Sequence, residues 1–157
     1  MSICQVQEFK AGEEKQISRF IREVFDEFVA PDYPESGNKF FYDYIQPKNI
    51  RKRIKEENNL IFTCKSDQKI VGVLGIRDKY HISLLFVDKT FHGRGIGGKL
   101  IRHYIAGILE PGIHELTVHA SPYSTGIYER LGFSRETDWK EANGIRYLPM
   151  RKSFFIK

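Results

Sequence analysis

The sequence predicts an α/β (α+β) chain: a mixed, mostly antiparallel sheet of about seven strands with helices on both faces. Three observations predict it. The hydrophobic period is helical over the first third of the chain and strand-like after Leu60, so helices precede a run of strands. Three strand-like runs are then separated only by short turn signals, which requires hairpins. A strand, a helix and a further strand follow, and a crossover of that kind puts a parallel neighbour into the same sheet.

The elements are read in chain order. Ile3 to Phe9 is a short first strand. From Glu13, the residues Ile17, Phe20, Ile21, Val24, Phe25 and Phe28 repeat at the spacing of one helix face, which stops before Pro31. Pro31 to Asn38 is a loop. A short aromatic helix follows, with Phe40, Phe41, Tyr44 and Ile45 on one side. After Pro47 a basic helix, Asn49 to about Asn58, keeps Ile50 and Ile54 inward. Leu60 to Cys64, Lys69 to Arg77 and Tyr80 to Val87 are strands, turned at Ser66-Asp67 and at Asp78-Lys79. A helix from Gly97 carries Leu100, Ile101, Tyr104, Ile105 and Ile108 on one face. Glu115 to Ala120 is a strand and Ser124 to Leu131 a short helix, closed by Gly132 as a left-handed residue with Phe133 as its hydrophobic contact. Phe133 to Trp139 and Ile145 to Lys152 form a hairpin around Asn143-Gly144.

At 157 residues, 41% hydrophobic and 13% aromatic, the chain can bury one sizeable core, and residues 1–157 read as a single domain. A disordered tail and a disulfide-stapled miniprotein are excluded. No run approaches the roughly 18 apolar residues of a membrane span, and charge at Glu8 interrupts any apolar signal region, so no membrane partner is expected. Cys4 and Cys64 read as too few and too far apart for a disulfide framework or a zinc ribbon, which points to a reducing cytoplasm. The net charge of +5 suits an anionic ligand as well as nucleic acid. The basic run Arg51-Lys52-Arg53 with Lys55 lacks interleaved aromatic platforms and reads as a solvated helix face, so no nucleic-acid partner is expected.

The chemistry concentrates in His92-Gly93-Arg94-Gly95-Ile96-Gly97-Gly98-Lys99, which follows a strand and opens an amphipathic helix. Glycines there let the backbone present successive N–H groups to an anion, and the helix N-terminus adds partial positive charge. Arg94 and Lys99 place cations nearby. A P-loop is excluded because Leu100 follows Lys99, and a dinucleotide fingerprint because the loop lies after three hairpin-type strands.

On His92-Gly93-Arg94-Gly95-Ile96-Gly97 and on Tyr128-Glu129-Arg130-Leu131-Gly132-Phe133, the chain resembles the GNAT (GCN5-related) N-acetyltransferase superfamily, and a bacterial subset of it through Thr117 to Tyr123. His92 stands where that family usually has Gln or Arg. The element order fits over essentially the whole chain. The resemblance implies acetyl-CoA as cosubstrate, with its pyrophosphate on the backbone amides of the loop from Arg94 through Gly95, Ile96 and Gly97 to Gly98, and with His92 and Gly93 also among the cofactor-binding residues. It implies that the pantetheine arm runs along Leu85, Phe86 and Val87, whose backbone groups a splayed neighbouring strand leaves unpaired. Ser121 stands where many members carry an asparagine that touches the arm. The implied reaction moves acetyl to a primary amine by direct attack in a ternary complex, the acceptor being a small molecule or a protein amine. The other reading is a non-catalytic CoA-binding sensor or partner-binding module on the same fold.

Tyr128 corresponds to the family's general acid for the leaving thiolate; its alternative is a tyrosine of the helix's core face. His81 corresponds to the position of the base in some members, and strand alternation puts His81, Ser83 and Leu85 on one face. His119 is the second base candidate, and an ordinary strand-end histidine is the alternative for both. The family's acceptor pocket would draw on Tyr33, Phe41, Tyr42 and Tyr44 with Asp32, Glu35 and Asp43, of which Asp32 and Tyr33 stand out in their proline-flanked loop. No histidine pair has metal-ligand spacing, so no metal is implied. A homodimer through the terminal strands is compatible with the family.

Overall fold

The computed structural model describes residues 4–107 and 110–154. The chain runs β1 (Gln5–Glu8), α1 (Glu14–Phe28), a 3-10 turn (Ala30–Asp32), α2 (Glu35–Tyr44), α3 (Pro47–Glu56), β2 (Leu60–Ser66), β3 (Lys69–Arg77) and β4 (His81–Val87). A second 3-10 turn (Lys89–Phe91) leads to α4 (Ile96–Gly107), β5 (Glu115–Ala120), α5 (Thr125–Arg130), β6 (Ser134–Arg135), β7 (Lys140–Ala142) and β8 (Ile145–Ser153). Ile3 and Ile108, assigned above to a strand and a helix face, lie outside the described residues.

The strands form one mixed sheet in the order β1-β2-β3-β4-β5-β8-β6, with β7 also on β8. Only β4 and β5 pair in parallel, as the crossover through α4 requires. The sheet therefore has eight strands among the described residues, where the sequence suggested about seven. The extra one arises because the run from Phe133 to Trp139 breaks into two. Pro149 of β8 accepts the Glu136 N–H through its carbonyl but has no N–H to return. Asp138 then caps the Trp139 N–H, and pairing resumes only at Lys140.

Helices cover the two faces separately. On one, Phe62, Leu74, Ile76, Ile82, Leu116, Val118 and Met150 pack under Leu100, Ile101 and Tyr104 of α4 and Tyr128 of α5. On the other, Ile61, Val73 and Leu84 meet Ile17, Phe20 and Ile21 of α1, with Ile45 and Ile50 beside them. Each such side chain contributes about 1.5–3 kcal/mol, so the helical spacing that marked α1 and α4 in the sequence is the source of their docking. Phe40 departs from the expected aromatic side of α2 and is 45% exposed. The segment read as a loop up to Asn38 is helical from Glu35, because Pro34 sits in extended geometry just before it and serves as a helix start.

Turn chemistry sets the registers. Asp67 and Gln68, both at positive φ, join β2 and β3 one residue later than the Ser66-Asp67 assignment. Asn143-Gly144 turns β7 into β8 as expected, again with both residues at positive φ. Asp78 and Lys79 also take positive φ, but the loop absorbs Tyr80 as well, so Arg77 faces His81 across β3 and β4. Cys4 and Cys64 are joined by a disulfide with their Cα atoms 5.5 Å apart. Pairing of β1 with β2 erases their separation of 60 residues, so the spacing argument drawn from them falls, and with it their bearing on compartment. No helix among the described residues is long and apolar enough to cross a membrane.

Candidate active site

The sheet opens at its centre. β4 and β5 pair only at His81–Thr117 and Ile82–Val118, and Ser83 to Val87 run on without a β5 partner. A bulge starts the divergence: on β3, Gly75 faces Leu84 and Ile76 faces Ile82, so Ser83 is the extra residue on β4. Gly75 makes room for it, since a Cβ there would stand 2.9 Å from the Ser83 hydroxyl and 3.1 Å from Leu84 Cβ. The bulge also overturns the alternation expected from sequence. Ile82, Leu85 and Val87 join the α4 side and Leu84 and Phe86 the α1 side, so His81 does not share a face with Leu85. Asp88 donates to the Val71 carbonyl on β3; alternation then turns the Phe86 backbone to β3 as well and leaves those of Leu85 and Val87 facing the split. Phe86 reaches the cavity through its ring instead.

The glycine loop sits at the wide end of this split. Gly93 and Gly95 take φ of +79° and +77°, open to glycine at no steric cost. The first helical bond of α4 runs from Lys99 N–H to the Gly95 carbonyl, and the amides of Gly95, Ile96, Gly97 and Gly98 have no acceptor among the described residues. Four unpartnered donors at a helix N-terminus form an anion cradle. The expected cations do not flank it. Arg94 is exposed with its guanidinium over the Phe91 ring, and Lys99 reaches back to the Cys4 carbonyl on the first strand's side. Neither lines the cavity. His92 donates from Nε2 to the Val87 carbonyl at 2.8 Å. Its ring lies 5.1 Å from that of Phe28, which stacks 5.1 Å from Tyr123. An aromatic strap thus joins the segments following β4 and β5 across the end of α1.

A cavity of about 930 Å³ runs from this loop through the split to the β3–β4 turn. Of the residues singled out from sequence, it is lined by Leu85, Phe86, Val87, His92, Gly93, Gly95, Ile96, Gly97, Gly98, Ser121, Tyr128, His81, His119 and Tyr33. Asp32 is not among them: the 3-10 turn ties its N–H to Val29 and leaves it exposed. Glu35, Asp43 and Tyr42 are also outside, the Tyr42 hydroxyl donating to Asp26 on the surface. Ser121 lines the cavity, with its hydroxyl hydrogen-bonded to Ser124 in the turn that opens α5.

Tyr128 is buried, edge-on to Phe133 at 5.3 Å, and its hydroxyl has no hydrogen-bond partner among the described residues. Burial pushes this phenol well above its ordinary value, so it holds its proton at neutral pH. His81 and His119 meet at 4.6 Å between ring centres, and His119 stacks on Tyr147 of β8 at 4.3 Å. His81 Nδ1 lies 2.8 Å from the Thr117 hydroxyl. Burial first, then Arg77 and His119, push His81 down to about 3, so its ring is neutral at physiological pH. His119 is lowered too, by partial desolvation and then by Arg77 and Lys140.

The end of the cavity away from the loop combines an aromatic wall, Phe25, Tyr33, Phe40, Phe41 and Tyr44, with Arg53, Glu57, Arg77 and Asp78. Sequence reasoning missed these four charged residues. The register that brings Arg77 to His81 depends on Tyr80 joining the turn, and nothing in the local sequence signals that.

Comparison with known proteins adds the following. The family model described as "Acetyltransferase (GNAT) domain" matches residues 29–154. The N-alpha-acetyltransferase MAK3 of Arabidopsis thaliana is 38% identical over 58 residues, spanning 35% of this chain and only 30% of the plant protein. The N-alpha-acetyltransferase 30 of Dictyostelium discoideum is 25% identical over 145 residues, 82% of this chain and 74% of its own length. Among solved structures, a GCN5-related N-acetyltransferase from Rhodopseudomonas palustris superposes with a TM-score of 0.83 at 20% identity, covering 98% of both chains. The PaiA N-acetyltransferase of Thermoplasma acidophilum, solved with coenzyme A, gives 0.80 at 15% identity, over 97% of this chain and 99% of that one. At these identities the structures share the fold.

Proposed function

The chain belongs to the GNAT acetyltransferase family, and from that premise we propose that it transfers acetyl from acetyl-CoA to a primary amine, by direct attack within a ternary complex. The observation that carries the proposal is the run of free amides at Gly95 to Gly98 at one end of a cavity that continues into the β4–β5 split. That arrangement fits a long ligand with one anionic end. The amides would hold the pyrophosphate, and the backbone groups of Leu85 with the Val87 N–H, whose carbonyl already accepts from His92, would pair with the amides of the arm as an added strand does. A thioester bound there supplies an acyl group activated toward amines.

The protein's own residues account for the proton movements. Tyr128, protonated and free of other partners, gives its proton to the departing thiolate, whose parent thiol has a pKa of about 8.5. An amine with a pKa near 10 must shed a proton before it attacks. Between the two imidazoles, His119 is the better acceptor. Arg77 disfavours a proton on either ring, but one on His81 would also be buried, whereas His119 is exposed on one side. We assign His119 as the base or its relay to water, and His81 as a neutral group packed against it.

Calorimetric titration with acetyl-CoA tests the cofactor site. Wild type is expected to bind with a Kd of about 1 μM and Gly97→Trp to lose binding, since its indole would enter the space before Leu85 and Leu131. Thiol release with a panel of amines tests the chemistry. A folded protein that binds no acetyl-CoA would sink the proposal; binding without thiol release under any amine would leave a CoA-sensing module.

A further inference from the structure

Resting on the acetyltransferase reading, we infer that the far end of the cavity is a carboxylate subsite built on Arg77, and that the acceptor is a small amine that also carries a carboxylate. Three observations lead there.

The first is the charge inventory. Asp32, Glu35 and Asp43, the acids that would have trapped a cationic acceptor, do not line the cavity. The charged residues that do are Arg53, Arg77 and Arg130 against Glu57 and Asp78. A polyamine would have to place several positive charges against that set without a surplus of carboxylates, and in a partly desolvated cleft like charges repel strongly.

The second is availability. Arg53 stacks its guanidinium on the Tyr44 ring at 3.6 Å and donates to the Tyr44 carbonyl. Arg130 closes α5 on the loop side. Among the described residues Arg77 has one ion-pair partner, Asp78, at 3.8 Å, beyond hydrogen-bonding distance, and both side chains of that pair are exposed. An exposed pair of this kind is worth about 0–1 kcal/mol, so a ligand carboxylate can replace Asp78 at small cost. The guanidinium fork is matched to a carboxylate's two oxygens.

The third is position. Arg77 faces His81 across the strands, and His81, Thr117, His119 and Tyr147 continue that row over β4, β5 and β8 on the same side of the sheet. A carboxylate on Arg77 would hold the attached amine beside the imidazole pair, where the proton must leave. The aromatic wall of the same cavity, with Phe40 45% exposed, offers an apolar seat for the rest of the molecule.

The test uses the full chain loaded with CoA and two product-like probes, N-acetyl-L-phenylalanine and its carboxamide, titrated calorimetrically. The carboxylate is expected to bind about tenfold or more tightly, the range of a charge-assisted hydrogen-bonded pair. Arg77→Gln should abolish that preference with unchanged thermal stability, and Arg77→Lys should keep part of it. Asp78→Asn should increase it, because asparagine tolerates the positive φ of this turn and removes the competing acid. Equal affinities in wild type, no binding of either probe, or a preference that survives Arg77→Gln would each overturn the subsite. Failure of acetyl-CoA itself to bind would instead bring down the acetyltransferase reading, so the two failures are separable.

Discussion

Gly37 offers a prediction in which two physical effects carry opposite signs. It is the third residue of α2, and exposed helix positions normally gain about 0.8–1 kcal/mol when glycine becomes alanine. Here the helix abuts the Asn143-Gly144 turn at the mouth of the cavity. A Cβ on Gly37 would meet the carbonyl carbon of Gly144 at 3.0 Å and its oxygen nearer still, against about 3.5 Å for a relaxed carbon contact. Both obstructing atoms are backbone, so no side chain can swing away, and the turn or the helix must retreat by more than about half an ångström to clear the oxygen. Overpacking of this kind costs about 1–3 kcal/mol, which exceeds the helix gain. Gly37→Ala is therefore expected to destabilise the protein by about 1–2 kcal/mol net, lowering Tm by roughly 3–6 °C for a chain of this size. Gly126→Ala is the matched control: its Cβ meets only Arg130 Nη1 at 3.8 Å, so the helix gain should appear unopposed. Because Asn143 lines the acceptor end, the displaced turn should also raise the acceptor KM and leave acetyl-CoA affinity unchanged. Urea denaturation and calorimetry of both variants check this. A Gly37→Ala protein as stable as Gly126→Ala would refute the close approach and the reasoning built on it.

Three further outcomes follow from the site. Tyr128→Phe should lower kcat about 100-fold, the smaller end of general-acid effects because a thiolate leaves readily, with acetyl-CoA binding unchanged by calorimetry. The folded pKa of His81, about 3, lies below the unfolded value near 6.5, so the unfolded chain binds more protons between them. Stability should therefore fall as pH drops through that window, and His81→Asn should flatten the fall in denaturation curves collected from pH 7 to pH 4. Phe28→Ala should break the strap between His92 and Tyr123 and speed acetyl-CoA dissociation several-fold in stopped-flow displacement, with the chemical step unaltered.

Much of the fold was legible because its signals are local. The spacing of Ile17, Phe20, Ile21 and Phe25 names the buried side of α1 without reference to any partner. The Asn143-Gly144 pair can hardly be other than a tight turn. The glycine loop's geometry was equally legible, since it rests on backbone amides that any chain with those φ angles would present. The misreadings of the site concern where a side chain goes rather than which element carries it. Asp32 looked like an acceptor-binding acid from its proline-flanked setting, yet the 3-10 turn directs it to solvent. Arg94 and Lys99 looked like phosphate cations from proximity in sequence, but one packs on Phe91 and the other reaches a neighbouring strand segment.

By itself the sequence determined the order of elements, the faces that helices bury, and where a run of backbone amides is left without acceptors among the described residues, because periodicity and turn chemistry act over a few residues. Tertiary structure alone decided how the candidate site is assembled. One inserted residue, Ser83, accommodated by the missing side chain of Gly75, redirects β4 and opens the sheet. One residue more in the turn at Tyr80 sets Arg77 against His81. Such shifts are small in backbone energy, yet a strand reverses which face its side chains occupy with every residue of slip, so they decide which groups meet.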